Sequence, residues 1–338
     1  MLNAHKIEIY NRTFNFKDMC AYEHNSVEVN TDYLTLSSNT LTVPKLLKAQ
    51  NGDYIYSTSG IQGIVDSVEY SKGQTEVTYK PMHSLFDVDV YYKSSALSSS
   101  LVGFFEGMIK NTFINNEDST QNIEGLTVEC YTENDVKNAT LNIVDNINNI
   151  FTLLQKALKK YRLYLDIDLQ PYEKKIVARL KINDKTRYII AEKPYVVDSE
   201  IYIKPSNKGI NKLIGYWQGH EDDSASPYIV KKDDEQTFSK STTKYYYGED
   251  ADEFRENVKN DSYELFSYDE TSNFISVTIN SNSYLYSGYG IGDLGVIIYD
   301  NIRYTAILTQ ITTGKGLTEY VFGDIRLNLT DKLLLGGL

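Results

Sequence analysis

The residues of this chain that could carry chemistry are few and scattered. Its four histidines, His5, His24, His83 and His220, never form the H-x-x-x-H or H-E-x-x-H pair that sets ligands for a metal on one helical face. His220 is followed by Glu221, Asp222 and Asp223, whose carboxylates could meet a cation, but the spaced ligands and glycine of a calcium loop are missing. Asp166 and Asp168 fall on one face of a predicted strand, as the carboxylates of a glycoside hydrolase could; in a chain with 46 acidic residues such a pair reads as surface. There is no G-x-S-x-G elbow and no G-x-x-x-x-G-K-[ST] loop. Gly288-Tyr289-Gly290-Ile291-Gly292 precedes a strand instead of joining strand to helix, so it reads as a turn and not as a phosphate cradle. Cys20 and Cys130 are too few and too far apart for a metal-binding pair or a disulfide framework, and imply reduced thiols. The expectation is therefore a protein that is not an enzyme, with no catalytic, cofactor-binding or metal-binding residue.

What does recur is a structural pattern. Ile64 to Tyr79 reads IVDSVEYSKGQTEVTY, and Ile307 to Phe322, 243 positions later, reads ILTQITTGKGLTEYVF. Each copy has an alternating strand, a turn with Lys-Gly-x-Thr-Glu, and a second alternating strand. The turn residues are Lys72, Gly73, Thr75 and Glu76 in the first copy and Lys315, Gly316, Thr318 and Glu319 in the second. Each is preceded by a Gly-Asp pair, Gly52-Asp53 and Gly292-Asp293, beside a β-rich run. A glycine hairpin is common in any β protein, but the shared order of parts argues for one β module used twice.

The elements that would position these turns follow from periodicity. Strands are expected at Lys6 to Tyr10, Ser26 to Asn30, Leu41 to Val43, Tyr54 to Tyr56, Gly63 to Tyr70, Thr75 to Tyr79 and Asp87 to Tyr92. Ser98 to Ser100 caps a helix whose face is Leu101, Phe105, Met108, Ile109 and Phe113. A second helix is predicted from Asp145 to Tyr161, closed by Lys156, Lys159, Lys160 and Arg162, where cations oppose the helix dipole. Strands Leu163 to Leu169 and Lys175 to Ile182 follow, then Glu200 to Lys204 and Asn211 to Trp217, with Trp217 read as a core residue. His220 to Ser241 reads as a solvated loop, Thr243 to Tyr247 as a strand, Gly248 to Leu265 as a short helix with an acidic first turn, and Ile275 to Ile279 as a strand.

The chain has 338 residues, 29 of them tyrosine, and a formal charge of -12. That length predicts two to four domains. Tyrosine suits half-buried strands and wet interfaces. The acidic balance, with no block of basic residues, predicts no specific nucleic-acid partner. No apolar run approaches the length of a membrane span, and Met1 to Tyr10 shows no signal-peptide pattern, so cytoplasmic synthesis and no membrane partner are expected. The fold class is α+β and mainly β: two similar β-barrel modules, an α+β middle domain and a small helical insertion. The expected boundaries are residues 1–90 for the first barrel, 91–198 for the α+β domain, 199–247 and 270–328 for the second barrel, 248–269 for the insertion and 329–338 for a C-terminal tail.

This order of modules, with Gly52-Asp53, Gly292-Asp293, the insertion Ala251 to Val258, Ser276 to Ile279 and Ile291-Gly292-Asp293, resembles the tail-tip hub family of tailed bacteriophages. That family comprises baseplate hubs and the N-terminal part of tail-associated proteins. The resemblance covers nearly the whole chain and rests on domain order and loose patterns. The composition fits a prophage of a low-GC Gram-positive host such as Listeria. The resemblance implies a homotrimer at the virion tail tip. Two barrels per subunit would present six quasi-equivalent modules to a sixfold tail tube while keeping threefold symmetry for the tip. It implies a distal tail protein or tail tube protein above, spike, fibre or receptor-binding components below, and a lumen through which DNA or the tape-measure protein passes unbound. Two other readings are a host-receptor or carbohydrate-binding tail module, and the N-terminal part of a tail-associated cell-wall hydrolase.

Overall fold

The computed structural model describes residues 4–23, 29–33, 36–92, 100–131, 136, 146–202, 210–218, 227–231, 240–267, 274–280 and 288–323. His24, His220, the acidic runs 221–223 and 233–235, and the tail 329–338 lie outside these residues.

The first ninety residues alternate apolar and polar positions, and the period of two makes strands. They are β1 (Ala4–Tyr10), β2 (Phe16–Glu23), β3 (Val29–Asp32), β4 (Asn39–Val43), β5 (Tyr54–Tyr56), β6 (Gln62–Ser71) and β7 (Gln74–Lys80). Six of them form one antiparallel sheet in the order β2-β1-β5-β6-β7-β4. Its inner face buries Ile7, Ile9, Leu41, Val43, Ile55 and Val77. The strand β2 carries no β-branched residue and has no clear alternation, which is why periodicity passes over it.

The chain then runs through β8 (Asp89–Tyr92), α1 (Leu101–Phe113), β9 (Leu126–Cys130), β10 (Asn146–Asn149), α2 (Ile150–Tyr161), β11 (Leu163–Gln170) and β12 (Lys175–Ile182). Ser100 Oγ accepts from Gly103 N–H at 3.0 Å, and the whole predicted face of α1 is buried. The second helix starts later than its periodicity suggests. Residues 146–149 pair with β8, and Asn149 is the cap, accepting from Thr152 N–H at 3.0 Å. Ile147 thus leaves the helical face and is 70% exposed. In the hairpin β11–β12 every second residue of β11, Leu163 to Leu169, is buried. Together with α1 and α2 these side chains form the central cluster, with Tyr10, Tyr54 and Ile64 contributed by the first sheet, and Ile291 and Ile307 by a later turn and strand.

The remaining elements are β13 (Thr186–Ile190), β14 (Val196–Tyr202), β15 (Ile210–Trp217), β16 (Tyr228–Lys231), β17 (Lys240–Tyr246), α3 (Ala251–Ser267), β18 (Phe274–Asn280), β19 (Leu294–Tyr299), β20 (Ile302–Gly314) and β21 (Leu317–Phe322). A second large sheet has the order β13-β19-β20-β21-β18-β14, and β3 crosses from the first part of the chain to pair with β20. The three strands β15–β17, expected within the second barrel apart from β16, which falls in the predicted loop, form a small sheet of their own. There Leu213 packs with Phe254 and Val258 of α3. Trp217 stacks on Phe254 at 5.4 Å and donates its indole N–H to Gly248 O at 3.0 Å, a half-buried core role.

Read as a cycle, the two large sheets share one strand order. The series β1-β5-β6-β7-β4-β2 corresponds to β13-β19-β20-β21-β18-β14, with β2 attached to β1 in the first sheet while β14 is attached to β18 in the second. One strand departs from the scheme: β1 is antiparallel to β5, whereas β13 is parallel to β19. The expected closed barrels are corrected to open sheets among the described residues, because no ladder joins β2 to β4 or β13 to β14.

Candidate functional site

The predicted repeat residues occupy matching corners of the two sheets. Gly52 and Gly292 have φ of 87° and 86°, a left-handed conformation that glycine adopts without strain. Gly52 N–H donates to Val65 O at 2.8 Å and Gly292 N–H to Leu308 O at 2.9 Å. Val65 N–H and Leu308 N–H return bonds of 2.8 Å to Asp53 O and Asp293 O. Each strand then carries a bulge, between Val65 and Ser67 and between Leu308 and Gln310. The same extra residue in both copies keeps the following hairpins in register.

The Asp53 and Asp293 carboxylates are buried, at 2% and 0% exposure. Burial of an anion is tolerated only with donors around it. Asp53 Oδ2 accepts from Lys17 Nζ at 2.5 Å and from Gln50 N–H at 2.9 Å. Asp293 Oδ2 accepts from Arg187 Nε at 2.9 Å and from Gly290 N–H at 3.1 Å, while Oδ1 accepts from Asn183 Nδ2. An arginine braces each corner from outside: Arg12 Nε donates to Gly52 O and Arg162 Nε to Gly292 O, both at 2.9 Å. Lys17, Arg187, Arg12 and Arg162 escape sequence reasoning because they stand 36, 106, 40 and 130 positions from their partners. Arg162, expected to answer the dipole of α2, sits just past its end in a left-handed cap and ties that helix to the second corner.

The hairpin tips also match. Lys72 and Gly73 have φ of 47° and 79°, and Lys315 and Gly316 of 52° and 78°. Two successive positive φ values define a type I′ turn, which fits the twist of the flanking strands. Thr75 is buried, accepting from Leu47 N–H at 2.8 Å and donating to Lys45 O at 2.6 Å. Thr318, at the same place, is buried, and Glu319 accepts from Ser276 Oγ at 2.6 Å. The two tips point into solvent from corresponding strands; the structure does not gather them into one pocket.

The other candidate side chains among the described residues lie apart and are engaged in local contacts. His83 is half-buried, the loss of water around its ring lowers its pKa, and its Nε2–H donates to Leu165 O at 2.6 Å. Asp166 and Asp168 meet Lys181 at 2.6 Å and Arg179 at 3.4 Å across the β11–β12 hairpin. These half-exposed pairs are worth at most about 1 kcal/mol each. Among the described residues no three His, Cys, Asp or Glu side chains gather for a metal, and neither Cys20 nor Cys130 forms a disulfide. A cleft of about 820 Å³ between the first sheet and α1 is lined by Arg12, Asp66, Lys80, Asp87, Asp89 and Phe113. Its ionic groups are engaged, Lys80 with Asp66 at 3.3 Å, and Asp87 and Asp89 with Asn149 Nδ2 at 2.9 and 3.1 Å.

No protein-family model and no curated protein matches the sequence. Solved structures do. The chain is similar to a prophage tail protein of Listeria monocytogenes EGD-e, with TM-score 0.55 at 13% identity, over 98% of this chain and 100% of that one. It is similar to the 43 kDa tail protein of prophage MuSo2 from Shewanella oneidensis, with TM-score 0.57 at 12% identity, over 94% and 98%. It is similar, too, to a chain of the phage P2 baseplate in its activated conformation, with TM-score 0.52 at 14% identity, over 94% and 98%. The chain has the fold of phage and prophage tail proteins, mainly β with three α-helices among the described residues. Identities this low speak for the fold alone.

Proposed function

We propose that this protein is a structural hub of a phage or prophage tail tip, located in the virion tail, whose two large sheets act as quasi-equivalent modules. The observation that carries the reading is the corner correspondence: Gly52-Asp53 with Arg12 and Gly292-Asp293 with Arg162 repeat the same hydrogen bonds. Three chains then supply six modules to a sixfold tube and three middle domains to a threefold tip, through heterologous contacts between unlike modules. The residues of the two turns, Lys72 to Glu76 and Lys315 to Glu319, mark equivalent places in such a ring and are not reacting groups. The partners on this reading are two further copies, a distal tail or tube protein above, and spike, fibre or receptor-binding components below. Similarity to structural tail and baseplate proteins favours a non-enzyme. Sedimentation equilibrium of the chain, alone and with the distal tail protein from its own gene cluster, should give three chain masses in at least one condition; a monomer in both contradicts the reading.

A second reading belongs to the small β15–β17 sheet. Tyr216 and Tyr245 lie side by side on its outer face, ring centroids 5.8 Å apart, with 39% and 71% exposed. Such a face suits contact with a host-surface glycan, and binding of purified cell-wall polysaccharide that is lost in Tyr245→Ala tests it.

A further inference from the structure

The two sheets differ at one strand edge that their correspondence makes easy to locate. In the second sheet, β20 is covered along nearly its whole length on the side away from β21: residues 302–307 pair with β19, and Gln310 to Thr313 pair with Asp32 to Val29 of β3. The ladder continues through Tyr33 N–H, which donates to Thr309 O at 3.1 Å. In the first sheet, β5 covers only Gln62 to Ile64 of β6. Past the bulge, no described strand pairs with Ser67 to Ser71 on that side. At the place of Thr309, Asp66 O is met by a side chain, Asn51 Nδ2, at 2.6 Å.

Strand register fixes which backbone groups are left. The two-residue turn at Lys72-Gly73 makes Ser71 and Gln74 a hydrogen-bonded pair, so Glu69 and Ser67 also bond across to β7, and Val68 and Tyr70 point their N–H and C=O groups away from it. Their counterparts Ile311 and Thr313 face β3. Ser67 and residues 69–71 are exposed, whereas 310–314 are half-buried. Glu69 and Glu76 also stand directly opposite each other in the open half, a repulsive cross-strand pair. The second sheet has Thr312 opposite Glu319 there. An exposed half-strand with free main-chain groups is a template for strand addition.

We propose that the open edge of β6, Val68 to Tyr70, takes an extended segment of a neighbouring copy of this chain as an added antiparallel strand. The inference rests on the trimer reading. The occupant is a second copy because the equivalent edge is filled by an extended segment of this same polypeptide, β3. In a ring where unlike modules alternate, β3 joins the first module to the second within a chain, and a strand on β6 makes the matching joint between chains. The incoming strand brings a donor or cation to the rung of Glu69, relieving its repulsion with Glu76.

The test is amide hydrogen exchange of the full chain, resolved to Val68, Tyr70, Ile311 and Thr313, in dilute monomer and in the assembled state. Ile311 and Thr313 should be protected in both. Val68 and Tyr70 should exchange freely in the monomer and slow at least tenfold on assembly. Tyr70→Pro, which removes an outward N–H without touching the β7 ladder, should weaken association at least tenfold, while Tyr70→Phe should leave it unchanged. Assembly without new protection at Val68 and Tyr70 overturns the edge proposal and leaves the trimer standing. A chain that stays monomeric at every concentration and with its tail partner overturns both.

Discussion

The first and second sheets keep the same interior and change their margins. Both retain the Gly-Asp corner, the bulge, the type I′ tip and the bracing arginine. Around that frame the first module ends β5 after three residues and loops to β6, whereas β19 runs six residues and turns directly into β20 through Asp300 and Asn301, both at positive φ. The strand at the place of β1 is reversed in the second module, and one free edge of the first is filled in the second. Interior hydrogen bonds and close packing restrict each other, since any change leaves a buried group unpaired. Edges are where partners attach. Divergence there is what quasi-equivalent modules facing different neighbours would accumulate.

The largest effect expected on this comparison concerns a paired position at which each sheet keeps one glycine, Ile55 opposite Gly63 and Gly295 opposite Ala306. A Cβ on Gly63 would lie 2.4 Å from Lys80 O, a backbone atom, while one on Gly295 would lie 2.4 Å from the Phe322 ring, a side chain that can turn. Gly63→Ala should cost about 3 kcal/mol and Gly295→Ala about 1–2 kcal/mol, read by native-state amide exchange of each sheet. Equal costs would contradict the difference between a backbone and a side-chain neighbour at the two glycines. Next come the buried carboxylates. Asp293→Ala removes an acceptor of three donors and Asp53→Ala an acceptor of two, so the first should destabilise its sheet more, by about 2–3 kcal/mol.

A smaller change of opposite sign is expected at the ring that both sheets bury beside those glycines. Tyr79 and Phe322 correspond, but the Tyr79 hydroxyl is buried with no hydrogen-bond partner among the described residues. Tyr79→Phe should therefore stabilise the first sheet by about 1 kcal/mol. Phe322→Tyr should destabilise the second, and thermal melting of the two variants checks the signs. Smallest of all, Lys72→Asn and Lys315→Asn should each add about 0.5 kcal/mol, because Asn-Gly suits a type I′ turn better than Lys-Gly. Unequal gains would mean that one tip is held by contacts the other lacks.

Acid should act on the first sheet through Glu8 of β1, which the second sheet cannot match, since β13, standing where β1 stands, carries no carboxylate, and through Asp18 of β2. Burial alone would raise Glu8, but hydrogen bonds from Lys6, Tyr10 and Tyr172 outweigh it and hold its pKa below the ordinary value. Burial likewise pushes Asp18 up, and bonds from Lys45 and from the N–H groups of Lys48 and Met19 bring it down to about 2 from 3.8. A depressed folded pKa gives stability that is complete above the unfolded value and lost as pH falls through the folded one. Amides of β1 and β2 should thus lose protection between about pH 4 and pH 2, and Glu8→Gln with Asp18→Asn should flatten that loss.

Much of this was legible beforehand, for physical reasons that also mark where legibility stops. The corners and tips could be read because glycine at positive φ and the two-residue turn leave a local signature. The face of α1 and the β11–β12 hairpin could be read because burial imposes a period. By contrast, Arg12, Arg162, Lys17 and Arg187 reach their partners through the tertiary fold. The strand at 146–149 takes its conformation from β8 against a helical pattern. The crossing of β3 to β20 and the small sheet of β15–β17 depend on pairings between distant segments, which no local pattern encodes.

The central claim is that one module is used twice so that three chains build six. End-on electron-microscope images of the assembled particle test it most directly. The account predicts a ring with threefold symmetry and a strong sixfold harmonic, from six similar densities contributed by three chains. A ring of six chains, or a threefold particle without the sixfold component, would contradict it.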